Sequence, residues 1–174
     1  MAFSIRVEAI IPKALNVKAV KQAIDAALEE EGKVLKKYFE QTTASWTGEK
    51  PNFEWRRGTT SSEAWVWCGP KGSDTAIEKW RRLDEGAEPH VITPKNAPAL
   101  RFPWQGPGRS YLAKTTPGHL VSHPGGNKFG PMRSFKAVNH PGNDPRNWSI
   151  VLGEQEIGPF RDLIQEAVDR GLAV

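Results

Sequence analysis

Between residues 17 and 38 the apolar positions Val17, Val20, Ile24, Leu28, Leu35 and Tyr38 recur at spacings of three, four and seven, while Lys18, Asp25, Glu29, Lys33 and Lys36 fall on the other side. That period predicts one amphipathic helix. Asn16 can cap it, with Leu15 and Val20 as a hydrophobic staple, and the pattern is lost over Thr42 to Thr47. Glu29 and Lys33 form a favourably ordered i, i+4 pair along it. A helix of about 25 residues is roughly 37 Å long. The 174-residue chain suits a single domain spanning residues 1–174, so the helix must lie across a sheet or against the same helix of a neighbouring subunit.

From Asn52 the period changes to two. Phe53, Trp55 and Arg57 alternate with Glu54 and Arg56, and after a turn from Gly58 to Ser62, Ala64, Val66 and Cys68 alternate with Trp65 and Trp67. A β-hairpin is predicted, closed by Gly69, Pro70 and Gly72. Thr75 to Leu83 fits a short helix or a further strand. With 16 Gly and 14 Pro the chain must be rich in loops, and most of the punctuation follows Asp84. Short strands are expected at Val91 to Thr93, Ala99 to Phe102, Ser110 to Thr115, Arg133 to Asn139 and Trp148 to Leu152. Residues 104–131 read as an irregular extended arm, because proline removes ladder donors and glycine adds chain entropy. A final helix is expected from Pro159 at its first position to Arg170, with Gly171 as its cap and Phe160, Leu163, Ile164, Ala167 and Val168 on one face. The fold class is α+β: long N-terminal and C-terminal helices packed on a mostly antiparallel sheet, with a Pro/Gly-rich basic arm.

The net charge of +4 is unevenly distributed. Residues 1–49 and 50–94 are each balanced, with seven basic and seven acidic side chains. Residues 95–147 carry eight basic side chains (Lys95, Arg101, Arg109, Lys114, Lys128, Arg133, Lys136 and Arg146) against Asp144 alone, and residues 148–174 carry two basic and five acidic. Such segregation suits either a polyanion beside the middle segment or an acidic patch on a neighbouring subunit.

Sequence patterns for chemistry are weak. Cys68 is the single cysteine, which excludes an intrachain disulfide and leaves a reducing compartment as the simplest setting. The N-terminal residues fit neither a signal peptide nor a membrane span, so the chain is expected in the cytoplasm when made. His119 and His123 have i, i+4 spacing, but the surrounding Pro and Gly argue against the helix a metal pair would need. Cys68 with His90, His119 or His140 is a formal nucleophile and base pair, yet Cys68 falls on the apolar strand face with Ala64 and Val66. No enzyme, cofactor or metal pattern emerges. Seven Trp interleaved with Arg resemble a stacking platform for single-stranded nucleic acid, but more often mark protein interfaces. Trp65, Trp67, Trp104 and Phe129 are the expected subunit contacts, and Arg109, Lys114, Lys128, Arg133 and Lys136 the basic residues expected to face DNA.

Gly86, His90, Ile92, Pro94, Lys95, Leu100, Phe102, His140, Pro141 and Gly142 occur in an order that resembles the small tail-component family of long-tailed bacteriophages. That family includes minor tail, neck, tail-completion and head-tail joining proteins. Its pattern is a long first helix, a glycine, a His-x-Ile-x-Pro-Lys segment, a Leu-x-Phe strand, a strand ending in His-Pro-Gly and a last helix. The insert from Trp104 to Pro131 is longer than the pattern, and Asn-Asp-Pro-Arg-Asn-Trp follows Gly142 where a short basic-aromatic link is expected. The resemblance implies a structural virion protein without catalysis. It would form a homo-oligomeric ring, with six copies expected, between the head connector or stopper and the tail terminator or tail tube. DNA would pass through the ring, and no membrane is involved. A nucleic-acid-binding module using the basic loops is the alternative. Independently of the family, proline restricts His140 to an extended conformation and Gly142 permits positive φ, so that strand should end in a sharp turn with the His140 ring satisfied locally.

Overall fold

The computed structural model describes residues 3–8, 17–60, 63–104, 117–120 and 131–172. The elements in chain order are β1 (Phe3–Glu8), α1 (Val17–Thr42), β2 (Asn52–Thr59), β3 (Glu63–Lys71), α2 (Asp74–Asp84), β4 (His90–Ile92), β5 (Leu100–Pro103), β6 (Met132–Phe135), β7 (Val138–His140) and α3 (Trp148–Leu172). The α+β class, the long first helix and the presence of a C-terminal helix are as expected from sequence, although that last helix is longer than expected.

The hairpin forms with β3 at the centre of an antiparallel sheet of order β1-β3-β2, in which Trp55 opposes Cys68 and Ile5 opposes Val66. Strand β1 is an addition to the elements expected from sequence, although Phe3, Ile5 and Val7 alternate with Ser4, Arg6 and Glu8. Because strand side chains alternate, Ala64, Val66 and Cys68 share one buried face. Helix α1 covers it with Val20, Ile24, Ala27, Leu28, Leu35 and Phe39, all buried. Val17, expected on the same stripe, is 41% exposed in the first turn. Its proposed cap, Asn16, lies outside the described residues. The Glu29–Lys33 pair is present at 2.7 Å.

An aromatic cluster joins the layers. Phe39 stacks on Phe53 with centroids 5.5 Å apart, Trp80 meets both edge-on, and Trp148 lies 5.7 Å from Trp80. The Trp80 indole N–H donates to Thr42 Oγ at 3.0 Å and the Trp148 indole to the His119 carbonyl at 2.8 Å, so both polar tips are satisfied within the core. Trp80 and Trp148 are therefore structural anchors and not surface platforms.

Several expectations are corrected. Trp148 to Leu152 is not a strand. It opens α3, a 25-residue helix that carries Pro159 in its interior. Trp148, Leu152, Glu156, Phe160, Ile164, Ala167 and Gly171 form one continuous buried stripe along it, and burial of that stripe against α1 outweighs the local preference of Gly158 and Pro159 to break a helix. Pro159 is exposed, which leaves the freed carbonyl of Gln155 on the solvent side. Gly171 is not a cap: a Cβ there would meet Val20 Cα at 2.5 Å, so it permits the close approach of α3 to α1. Arg133 to Asn139 is two strands, β6 and β7, each with a different partner. Strands β4 and β5 do not border the main sheet; β4 pairs with β7 and β5 with β6 in two separate antiparallel ribbons. The open choice at Thr75 to Leu83 resolves as helix α2, capped by the Ser73 hydroxyl accepting from the Ala76 N–H. The strand expected at Ser110 to Thr115 lies outside the described residues.

Candidate functional site

The end of α2, the start of α3 and the base of the β4–β7 ribbon are tied into one knot. The Ala87 and Asn143 backbones exchange hydrogen bonds of 3.0 and 2.9 Å, and the Asn143 side-chain amide donates to the Arg82 carbonyl at 2.9 Å. Gly142 has φ 82°, and a Cβ there would lie 2.1 Å from the Ala87 carbonyl oxygen. Only glycine serves both demands. Gly86, with φ 86°, turns the opposite strand.

Asp84, the last residue of α2, is buried and holds the first turn of α3. Its carboxylate accepts from the Ser149 N–H at 3.1 Å and from the Ser149 hydroxyl at 2.5 Å. Asn147, with φ 57°, precedes the helix, and its N–H donates to the Asp84 carbonyl. A carboxylate 65 positions upstream thus supplies a helix cap, which no local pattern signals.

The two motif histidines meet on this knot. His90 and His140 are cross-strand partners and their rings stack, with centroids 5.0 Å apart and planes 29° apart. His90 Nδ1 lies 2.8 Å from the Glu88 carbonyl, so that nitrogen carries the proton and donates. His140 Nδ1 accepts the Gly142 N–H at 3.1 Å, so its proton is on Nε2. The expected local satisfaction of the His140 ring is thus present. These tautomers do not leave two lone pairs for one metal ion, since His140 has its acceptor nitrogen occupied. Both rings border a groove of 550 Å³ against α2, lined also by Thr75, Lys79, Arg82 and Asn143.

Beyond the knot the ribbons carry most of their side chains in solvent. On β5–β6, Phe102 stacks on Phe135 at 5.2 Å, and Trp104 meets both edge-on at 6.0 and 5.6 Å. Pro94 is half-buried and Lys95 exposed in the link between ribbons. Pro141, after β7, is exposed. Arg133 and Lys136 are exposed, and neither makes an ion pair among the described residues. Arg109, Lys114, Lys128 and Phe129 lie outside the described residues, as does most of the expected 104–131 arm.

Trp65 and Trp67 occupy the sheet face away from α1 and are half-buried. Arg56 lies over the Trp67 ring at 5.5 Å. The structure does not gather them with Trp104, which belongs to the separate ribbon cluster. Cys68 is buried, and burial pushes its thiol up to about 12, as expected for a packing residue and not a nucleophile. His119 is exposed, and His123, four residues on, is outside the described residues.

A buried carboxyl pair likewise carries no signal in the sequence. Glu31 on α1 and Glu156 on α3 both sit in the buried helix interface, and Glu31 Oε1 has no hydrogen-bond partner among the described residues. Burial first, and the Glu156 charge second, raise Glu31 to about 7; burial raises Glu156 as well. Among the described residues, no group of three or more His, Cys, Asp or Glu side chains converges as a metal site, and no helix is long and apolar enough to cross a membrane.

The chain matches no family model, no curated protein and no solved structure.

Proposed function

We propose that this chain is a structural virion protein of a bacteriophage neck or tail, acting in tail completion or head-tail joining as a ring between the head connector and the tail tube. The observation that carries the reading is the pair of ribbons, β4–β7 and β5–β6, tied to the helical core through the Ala87–Asn143 knot and exposing Val91 and Met132 at 61% and 55%. Extended segments that present apolar side chains to solvent suit the clasping of neighbours in an assembly. The motif residues Gly86, His90, His140 and Gly142 support the same reading by building the base of that projection.

The test is gel filtration with negative-stain microscopy, followed by addition of the purified protein to heads and tails that lack it. Rings and restored joining are expected. A monodisperse monomer that fails to join heads to tails would overturn the reading. Arg101 and Arg133 beside the Phe102–Trp104–Phe135 cluster favour the second reading, a nucleic-acid-binding module, which would give strongly salt-dependent affinity for free DNA or RNA in the same preparations.

A further inference from the structure

The helices and the main sheet pair many of their surface charges with one another. Arg57 pairs with Asp25 at 2.8 Å, Lys71 with Glu54 at 2.8 Å and Arg82 with Glu78 at 2.8 Å. Two surfaces do not follow that habit. On the ribbons and their link, Lys95, Arg101, Arg133 and Lys136 are exposed without an ion pair among the described residues. On the outer side of α3, Glu154, Asp162, Glu166 and Asp169 are likewise exposed and unpaired with any cation among the described residues, and they outnumber the exposed Arg161 and Arg170 of the same helix.

Both surfaces also carry apolar side chains that no described residue covers. The ribbons present Val91, Trp104 and Met132, and α3 presents Ile150 at 59% and Ile157 at 52% exposure. Ile150 and Ile157 are seven residues apart, hence on one side of the helix and roughly 10.5 Å along its axis. A four-residue strand such as β5 or β6 spans about the same length, roughly 10–13 Å.

We infer that the basic, apolar ribbons of one copy dock on the acidic, apolar outer face of α3 in a second copy. The opposite signs of the two faces select this occupant. A nucleic acid would engage the cations but leave Val91 and Met132 uncovered. Because donor and acceptor faces differ, the contact is heterologous: each copy offers both, so repetition closes a ring or extends a filament. The inference rests on the proposed ring-forming reading only in taking the partner to be another copy of this chain.

Sedimentation velocity on the full-length protein tests it with two surface variants, the ribbon variant Arg133→Glu/Lys136→Glu and the helix variant Ile157→Glu, whose folding is checked by circular dichroism. Wild type should self-associate, more strongly at low salt, and each variant should weaken that association at least tenfold. The decisive arm mixes the two. The ribbon variant keeps an intact α3 face and the helix variant keeps intact ribbons, so together they should form a 1:1 dimer that grows no further. The docking is overturned if wild type is monomeric, if either folded variant associates like wild type, or if the mixed variants stay apart. It is also overturned if the ribbon variant loses only binding to duplex DNA. Rings that persist in both variants would defeat this contact while leaving the ring-forming reading intact.

Discussion

His90 and His140, fifty positions apart in the chain, face each other across the β4–β7 ribbon with their rings stacked at 5.0 Å. One strand sends its Nδ1–H to the Glu88 carbonyl and the other receives the Gly142 N–H on Nδ1. The two rings therefore fix the turn on either side of the ribbon as well as each other. The Pro residues that follow Glu88 and His140 hold both chains extended at that point.

The opposed tautomers are directly observable. Long-range nitrogen–proton NMR at a pH where both rings are neutral should show His90 protonated at Nδ1 and His140 at Nε2. A double-mutant cycle with His90→Ala and His140→Ala should give a coupling of about 0.5–1.5 kcal/mol, the range for stacked aromatic pairs. Additive losses would mean that the stack contributes nothing beyond its separate backbone bonds.

Gly142→Ala should be far more costly than Gly118→Ala. Both glycines have positive φ, 82° and 76°, so each substitution meets a conformational cost of about 1–2 kcal/mol. At Gly118 an added Cβ meets nothing within 4 Å, whereas at Gly142 it would collide with the Ala87 carbonyl. Urea unfolding should therefore place Gly142→Ala at least about 1 kcal/mol below Gly118→Ala, the excess reflecting broken Ala87–Asn143 bonds.

Asp84→Ala should destabilise the protein by about 2–4 kcal/mol, because it removes the cap of α3 and leaves the Ser149 N–H and hydroxyl buried without their acceptor. Ser149→Ala loses only one of those bonds and should cost about 1 kcal/mol. Thermal unfolding of the two variants measures the difference; equal losses would remove Asp84 from this role.

The parts legible in sequence are those whose signal is local. The α1 stripe, the alternation around Phe53 and Val66, the burial of Cys68 and the Gly142 turn all follow from neighbours within a few residues. The full length of α3 is not legible because Glu156 interrupts its apolar stripe and Pro159 imitates a start signal; only the length of α1 opposite explains why the helix continues. The division of Arg133 to Asn139 was likewise hidden, since β4 and β5 choose partners far downstream. Asp84 and Glu31 read as ordinary polar positions until tertiary packing buries them.

Glu31 gives the last prediction, in stability against pH. Its ordinary value of 4.5 is raised to about 7 in the folded protein, where it is 3% exposed with Glu156 and Glu30 as its charged neighbours. Between those values the folded chain keeps a proton that the unfolded chain has released, so stability from this site is full below pH 4.5 and falls as pH rises through about 7. The loss is on the order of 3 kcal/mol. Glu156 is shifted in the same direction, while Glu29, Glu54 and Glu78 are lowered by Lys33, Lys71 and Arg82 and act only at more acid pH. Chemical denaturation of wild type should thus show stability declining from pH 5 to 8. Glu31→Gln, neutral throughout, should flatten that decline and be the more stable form at pH 8. A parallel decline in both proteins would place the origin elsewhere.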